Sequence, residues 1–145
     1  MTKTIQQSVE FNGVSPKELF DTYMDSKKHS AAIGGAPVSI SREIGSRFTA
    51  FGKGHLIGTI LHIVPNPMIV QSWRGQEHWK DNELDSILSL TFEKISGGSK
   101  ITLVHSGVPK RTFDLFNEGW KEHYWKSWKR YFEKQSKTQR TEIKI

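Results

Sequence analysis

The chain has 145 residues, no cysteine and a formal net charge of +6, and it is 35% hydrophobic and 25% charged. This length suits a single domain with a core of its own, and the composition is too apolar for intrinsic disorder. Without cysteine, a disulfide framework, a thiolate nucleophile and a cysteine-ligated zinc site are excluded. No stretch approaches the roughly 18 uninterrupted apolar residues of a membrane-spanning helix.

The charge is concentrated near the C-terminus. Residues 1–109 hold 11 Lys and Arg against 10 Asp and Glu, whereas residues 110–145 hold 10 against 5. This pattern indicates a solvated helix face and a basic tail from about residue 135, with an acidic partner surface as the alternative. Nucleic acid is disfavoured because the basic residues do not share a face with stacking aromatics. The N-terminus lacks the features of a secretory signal, so a cytoplasmic location is expected.

The first predicted elements are a strand and two short helices. Alternating apolar residues predict a strand over residues 4–11 with one buried face. The segment Ser15-Pro16-Lys17-Glu18 then combines an N-cap serine, a first-turn proline and a capping-box glutamate, which is the pattern of a helix start. A second helix is predicted from residues 25–26 to the glycine pair at residues 34–35.

Period-two segments follow and predict the rest of a sheet. The predicted strands cover residues 38–42, 46–51, 55–64, 68–74, 87–92 and 101–105. Turns are predicted at residues 43–46, 52–54, 65–67 and 96–99, and a polar loop at residues 76–84. The apolar residues of 55–64 do not alternate cleanly, which indicates a bulge or burial on both faces. Pro109 is expected to end the sheet.

A long amphipathic helix is predicted over residues 111–134. Its aromatic face comprises Phe113, Phe116, Trp120, Tyr124, Trp128 and Tyr131, and its polar face comprises Glu118, Glu122, Lys126, Lys129 and Arg130. The aromatic face must cover either a filled core or a cavity that holds a ligand. Gly119 lies inside this helix at a cost of about 1 kcal/mol, so we expect another backbone or the sheet to approach it closely.

Few residues have the pattern of a reactive site. His62 and His105 lie in apolar strands and are predicted to be hydrogen-bonded structural residues, with His105 the better functional candidate because it shares a face with Leu103. The other four histidines are assigned to loops or to the polar side of a helix. Metal-binding spacings, nucleophile elbows and phosphate loops are absent from the sequence, so no catalytic residue, metal or cofactor is predicted.

Six segments together carry a resemblance to a known family. They are SPKELF at residues 15–20, Gly58 followed by Val64-Pro65, IVQSWR at 69–74, DSILSLTF at 85–92, GVP at 107–109, and GW with YW between residues 119 and 125. In this order they resemble the AHSA1 family, named after the C-terminal domain of the activator of Hsp90 ATPase, within the START/Bet v 1-like (SRPBCC) superfamily. The resemblance covers about residues 5–132. The loop at residues 76–84 is about one residue longer than usual, and no segment corresponds to the separate N-terminal domain of the eukaryotic co-chaperone.

The resemblance implies an α+β helix-grip fold. A curved antiparallel sheet of about six or seven strands would wrap around the long C-terminal helix, with two short helices after the first strand, as one domain over residues 1–145. In the superfamily the space between sheet and helix is commonly a hydrophobic cavity. The predicted ligand pocket comprises Phe48, Trp73, Leu90, Leu103, His105, Phe116, Trp120 and Tyr124, with Arg74 on its rim.

Three functions follow from this resemblance. The first is a non-catalytic binding module for a small apolar ligand, with His105 and Tyr124 orienting that ligand. The second is a co-chaperone-like partner of an Hsp90-type chaperone, with a role in the stress response. The third is an enzyme of the cyclase or hydrolase kind, for which His105 would be the acid or base. The oligomeric state, monomer or homodimer, is left open.

Overall fold

The structure is a computed structural model that describes residues 1–52, 54–65 and 67–143, with side chains described as far as residue 136. The predicted turns at residues 52–54 and 65–67 each contain one position outside the described residues. Most side chains of the predicted basic tail also lie outside them.

The described strands form one antiparallel sheet of seven strands in the order β1-β7-β6-β5-β4-β3-β2. The strands are β1 (Thr2–Asn12), β2 (Val38–Ser39), β3 (Arg47–Ala50), β4 (Leu56–Val64), β5 (Met68–Gly75), β6 (Ser86–Ile95) and β7 (Gly98–Pro109). Every connection between β2 and β7 is to the next strand in the chain, and the first strand returns to pair with the last. The predicted sheet is therefore confirmed, with longer strands at both ends of the chain.

Two short helices close one end of the sheet, as the sequence predicts. They are α1 (Pro16–Met24) and α2 (Ser26–Ala32). The Ser15 hydroxyl accepts a hydrogen bond from the Glu18 backbone N–H, and the Glu18 carboxylate accepts one from the Ser15 N–H, so the capping box is formed. Asp25 caps α2 without a capping box, because its carboxylate accepts hydrogen bonds from the N–H groups of Lys27 and Lys28.

The irregular apolar pattern of residues 55–64 has a structural cause. Ile60 pairs with Gln71 and His62 pairs with Val70, so Leu61 is an extra residue in β4. Such a bulge reverses which side chains face the core beyond it. Ile60 is fully buried whereas His62 is exposed, and the prediction that His62 is a buried structural residue is wrong for this reason.

The C-terminal helix is interrupted by a π-helical turn. It consists of α3 (Phe113–Gly119), the π turn (Trp120–Trp125) and α4 (Lys126–Ile143), preceded by a short 3₁₀ turn at Lys110–Thr112. A π turn accommodates one additional residue, which advances the apolar stripe by one position. Tyr124 and Trp125 are consequently both buried. The stripe then continues through Trp128 and Phe132, and the predicted member Tyr131 is only half-buried.

The sheet curves around this helix and forms the main core with it. The largest fully buried side chains come from α1, the sheet and the helix, namely Leu19, Phe20, Tyr23, Phe48, Ile60, Ile69, Leu88, Leu90, Ile101, Leu103 and Trp128. The predicted polar face of the helix is exposed throughout. These features confirm the α+β helix-grip fold. In the described part of the chain, no helix combines the length and apolarity that crossing a membrane requires.

Gly75, at the end of β5, is expected to be intolerant of any side chain. A Cβ atom added there would overlap the Phe116 ring, 3.0 Å from Cε1 and closer still to Cζ. Since both groups are buried, we expect Gly75→Ala to lower the free energy of unfolding by about 1–3 kcal/mol, the usual cost of overpacking. Chemical denaturation measures this change.

Gly119→Ala is the matched control for that experiment. A Cβ atom at Gly119 would meet only His123 Cδ2 at 4.0 Å, so the close approach expected at this glycine is wrong. Because alanine favours a helix interior over glycine by about 1 kcal/mol, this variant should be as stable as the wild type or more stable. Equal destabilisation of the two variants would contradict the packing described at Gly75.

Candidate functional site

The π turn is anchored through three polar side chains that reach three different elements. The Trp120 indole N–H donates to His105 Nδ1 on β7 at 3.1 Å. The Tyr124 hydroxyl contacts His29 Nε2 on α2 at 2.9 Å, and the Trp125 indole N–H donates to Gln7 Oε1 on β1 at 2.8 Å. The one additional residue in the turn allows the adjacent side chains of Tyr124 and Trp125 to reach two different elements. These three contacts anchor the turn to α2, β1 and β7.

His105 is a buried structural histidine whose tautomer follows from its neighbours. An indole N–H can only donate, so His105 Nδ1 accepts from Trp120 and the proton lies on Nε2. Nε2 then donates to Ser86 Oγ at 2.6 Å, and Ser86 donates to the Trp73 carbonyl oxygen at 2.9 Å. Burial lowers the pKa of His105 to about 3. Both ring nitrogens are occupied, so His105 has no free atom for acid–base chemistry in this arrangement.

His29 forms a second network on the opposite side of the helix. Its Nδ1 lies 2.7 Å from the Tyr23 carbonyl oxygen, which only accepts, so Nδ1 carries the proton and Nε2 accepts from Tyr124. Burial lowers the pKa of His29 to about 4, partly opposed by the bond to Tyr23. Burial also raises the pKa of the Tyr124 hydroxyl far above its usual range. The Tyr23 hydroxyl extends the network by donating to Gln71 Oε1 at 2.5 Å.

A pocket of about 300 Å³ opens beside the π turn, between the helix and the β3–β4 side of the sheet. Its apolar lining comprises Phe51, Leu56, Trp73, Leu115, Phe116, Trp120 and Tyr124, and Gly119 and the polar residues His55, Glu77, His78 and His123 complete it. This size and lining are typical of small-molecule sites, which are mostly apolar with few polar groups.

The predicted pocket residues divide into two groups. Trp73, Phe116, Trp120 and Tyr124 line the pocket, whereas Phe48, Leu90, Leu103 and His105 do not. The latter group is fully buried in the core, because the aromatic side chains of the helix fill the space in front of the central strands. The pocket therefore lies at one end of the gripped helix and not along its middle.

Trp73, which lines this pocket, carries a buried polar atom without a partner among the described residues. Its side chain is 2% exposed, and its indole N–H has no hydrogen-bond acceptor among the described residues. The indoles of Trp79 and Trp128 share this property, but neither lines the pocket. A buried N–H without an acceptor costs about 1–3 kcal/mol.

Phe51 contributes an aromatic ring to the lining of the pocket. Its φ of 61° is the only left-handed backbone conformation among the described non-glycine residues. This conformation is unfavourable for a bulky residue and costs of order 1–3 kcal/mol. The ring contacts His123 and Tyr124 at centroid distances of 5.9 and 6.2 Å. The strained residue thus holds its side chain over the π turn.

Arg74 and Arg111 hold the loop between β5 and β6 against the domain. Arg74 donates to the carbonyl oxygens of Lys80 and Glu83 at 2.7 and 2.5 Å, and Arg111 donates to the His78 carbonyl and to the Glu83 carboxylate. The Arg74 side chain is 11% exposed. Arg74 therefore organises this loop instead of offering a free charge at the pocket rim, and it does not line the pocket.

Four features of the site were missed or misassigned from the sequence. His29 is fully buried, although it was placed on the polar side of a helix. Trp79, in a loop predicted to be polar, is 5% exposed and packs on Trp73 and Phe116. Trp125 was not placed on the inward face. Glu77 pairs with His55 at 2.5 Å at the pocket mouth, and among the described residues no cluster has the geometry of a metal site.

The architecture defines a helix-grip domain with an SRPBCC-like fold. A profile of the family described as activator of Hsp90 ATPase homolog 1-like protein matches residues 13–133, and the chain belongs to this family. It is 28% identical over 124 residues to an activator of 90 kDa heat shock protein ATPase homolog from Dictyostelium discoideum, covering 84% of the chain and 31% of that protein. It is 25% identical over 118 residues to the human homolog 1, covering 81% of the chain and 34% of that protein.

The chain thus spans about a third of the length of these curated relatives. Among solved structures, an Hsp90 activator from Plasmodium falciparum superimposes with a TM-score of 0.70 at 20% identity, over 86% of this chain and 90% of that one. The Aha1 dimer from Colwellia psychrerythraea gives 0.69 at 15% identity, over 82% and 88%. At these identities the likeness shows the fold alone.

Proposed function

We propose that the chain is a binding module that holds a small, mostly apolar molecule in the pocket beside the π turn. The observation that carries this proposal is an aromatic pocket of about 300 Å³ lined by Trp73, whose buried indole N–H has no acceptor among the described residues. A preferred ligand has a flat apolar body for the Phe116 and Trp120 rings and one hydrogen-bond acceptor for Trp73. The rings supply most of the affinity, and the single polar contact supplies orientation.

Gly119 supports this assignment because its missing side chain keeps the pocket open. A Cβ atom there would have open space around it, so no packing constraint demands glycine at this position. The helix nevertheless forgoes about 1 kcal/mol of helical propensity. A larger residue at this position would project into the pocket that Gly119 lines.

Dye binding tests the proposal with a pocket-filling variant. The probe is 1-anilinonaphthalene-8-sulfonate, an apolar dye with a sulfonate acceptor, titrated at physiological salt and followed by fluorescence. Gly119→Phe should weaken binding by at least about tenfold, or about 1.4 kcal/mol. Glu118→Phe is the matched control, because it adds an aromatic ring at an exposed neighbouring position that does not line the pocket. Equal affinities for both variants and the wild type would place the dye elsewhere and contradict the proposal.

A second candidate function is partnership with an Hsp90-type chaperone. It is favoured by the curated relatives, all of which are named as activators of the Hsp90 ATPase. The exposed basic side of the helix suits an acidic partner surface, which would speed association at low salt. The test is the ATPase rate of the Hsp90-type chaperone from the same organism with and without this chain. Neither stimulation nor binding at low salt would remove this candidate.

A further inference from the structure

The edge of the sheet formed by β1 carries unpaired backbone groups. β1 pairs with β7 on one side, and no described strand lies on its other side. The Gly13 N–H donates to the Gly97 carbonyl at 2.8 Å, and the same register continues into β1, where Asn12 lies opposite Gly98. In an antiparallel pair, the backbone groups of every second residue bond to the neighbouring strand. The odd-numbered residues of β1 therefore bond to β7. The N–H and C=O groups of Gln6, Ser8 and Glu10 face away from β7.

A groove follows this edge between β1 and the C-terminal helix. Residues 6–9 line a cavity of about 410 Å³, and residues 10–12 line an adjoining one of about 300 Å³. Lys129 lines both cavities, so together they form one groove. It borders seven consecutive strand residues, a length of about 23 Å at the usual strand rise of roughly 3.3 Å per residue. The side chains of consecutive strand residues point to opposite faces of the sheet. What all seven residues present to the groove is therefore their backbone.

The charges along this groove are unevenly distributed. The part beside residues 6–9 has Lys121, Lys126 and Lys129 on the helix wall and no acidic lining residue. Lys121 and Lys126 make exposed pairs with Glu118 and Glu122, and such pairs contribute little. Lys129 makes no ion pair within the described part of the chain and is exposed.

The other part of the groove is mixed in character. It contains Glu10 and Glu133 together with the apolar side chains of Phe11, Val14 and Phe132. An occupant would therefore place its acidic residues beside the lysines and neutral or apolar residues beside the two glutamates.

We propose that this edge binds an extended acidic peptide segment of a partner protein as an additional strand beside β1. Backbone bonds to Gln6, Ser8 and Glu10 would supply the pairing, as in other cases of strand addition. Carboxylates on the face of the peptide that points to the helix would meet the three lysines. This site is independent of the pocket at the π turn, which lies on another side of the helix.

A second copy of the chain is a poorer occupant of the same edge. Two β1 strands paired about a two-fold axis would place the Lys121, Lys126 and Lys129 groups of both copies along one groove. Like charges at such an interface oppose association. The acidic peptide instead supplies the opposite charge, and charge complementarity therefore selects it over self-pairing.

The test measures binding of the fluorescein-labelled octapeptide STDVDVTS by fluorescence anisotropy at low salt, with STKVKVTS as the counterpart of opposite charge. We expect saturable binding of the acidic peptide and at least about tenfold weaker binding of the basic one, since like charges disfavour an encounter. Amide hydrogen exchange gives a positional readout. Bound peptide should protect the N–H groups of Gln6, Ser8 and Glu10 and leave those of Gln7 and Val9 unchanged, because the latter are already bonded to β7.

Two variants locate the site. Ser8→Pro removes an outward N–H without removing a bond to β7, and Lys129→Glu reverses the charge shared by both parts of the groove. Each should weaken binding by about tenfold, whereas Lys28→Glu on α2 makes the same charge change outside the groove and should have little effect. Gly119→Phe should bind the peptide like the wild type. Equal binding of the two peptides, insensitivity to both groove variants, or a dimer that Ser8→Pro converts to monomers would overturn the proposal.

Discussion

Trp120→Ala is expected to lower the free energy of unfolding by about 3–5 kcal/mol, the range for removing a buried aromatic side chain. Trp120 is 3% exposed and contacts the rings of Trp73, His105, Tyr124 and Trp125. Its removal also leaves His105 Nδ1 without a donor. Urea denaturation monitored by circular dichroism measures the change.

A pair of phenylalanine variants separates the hydrogen bond from the packing. Trp120→Phe and Trp128→Phe remove the same atoms, but only the Trp120 indole N–H has an acceptor. Leaving a buried acceptor unpaired costs about 1–3 kcal/mol, so Trp120→Phe should be more destabilising than Trp128→Phe by about this amount. Trp128 is the more completely buried residue of the two, so packing alone predicts the reverse order. A greater loss for Trp128→Phe would contradict the anchoring role of His105.

Acidification is expected to destabilise the protein through its two buried histidines. Burial lowers the pKa of His29 to about 4 and that of His105 to about 3, from an ordinary value of 6.5. Below pH 6.5 the unfolded chain takes up protons at these positions that the folded chain does not. The stabilisation is therefore complete above about pH 6.5 and is lost as the pH falls toward the folded-state pKa values.

The expected loss is about 2 kcal/mol per histidine between pH 7 and pH 4.5, since one pKa unit corresponds to about 1.4 kcal/mol. Denaturation midpoints across this range measure it. The two histidines together make the free energy of unfolding depend on pH. His29→Gln should remove about half of their part of this slope, whatever its effect on stability at neutral pH. His62→Gln, at an exposed position on β4, is the matched control variant. A slope that His29→Gln does not alter would contradict the burial described for His29.

Regular periodicity made most of the fold predictable. The capping box of α1 and the hairpin of β6 and β7 are local patterns, and each formed where the sequence predicts it. The π turn was not predictable from local periodicity. The adjacent aromatic residues Tyr124 and Trp125 also fit a regular α-helix in which one of them is exposed. Only contacts with Gln7 and His29, distant in sequence, make the additional residue favourable.

The candidate site was less predictable for a related reason. His29 follows two lysines in a short polar helix, and nothing local distinguishes it from a solvated residue. Its burial depends on Tyr23 and Tyr124, which the fold brings together. The sequence assigned Phe48, Leu90 and Leu103 to a pocket between the sheet and the helix. Whether the space between the sheet and the helix stays open depends on the volume of the side chains that point into it. Here large aromatic residues fill that space.

The most direct test of the proposed ligand site is the nuclear magnetic resonance signal of the Trp73 indole N–H. The chain contains five tryptophans, so each indole resonance can be assigned by substitution and followed during titration with 1-anilinonaphthalene-8-sulfonate. A bound acceptor should shift the Trp73 resonance downfield and leave Trp128, which lies in the core, unchanged. A Trp73 resonance that stays in place while the dye binds, or that shifts equally in Gly119→Phe, would contradict a ligand site beside the π turn.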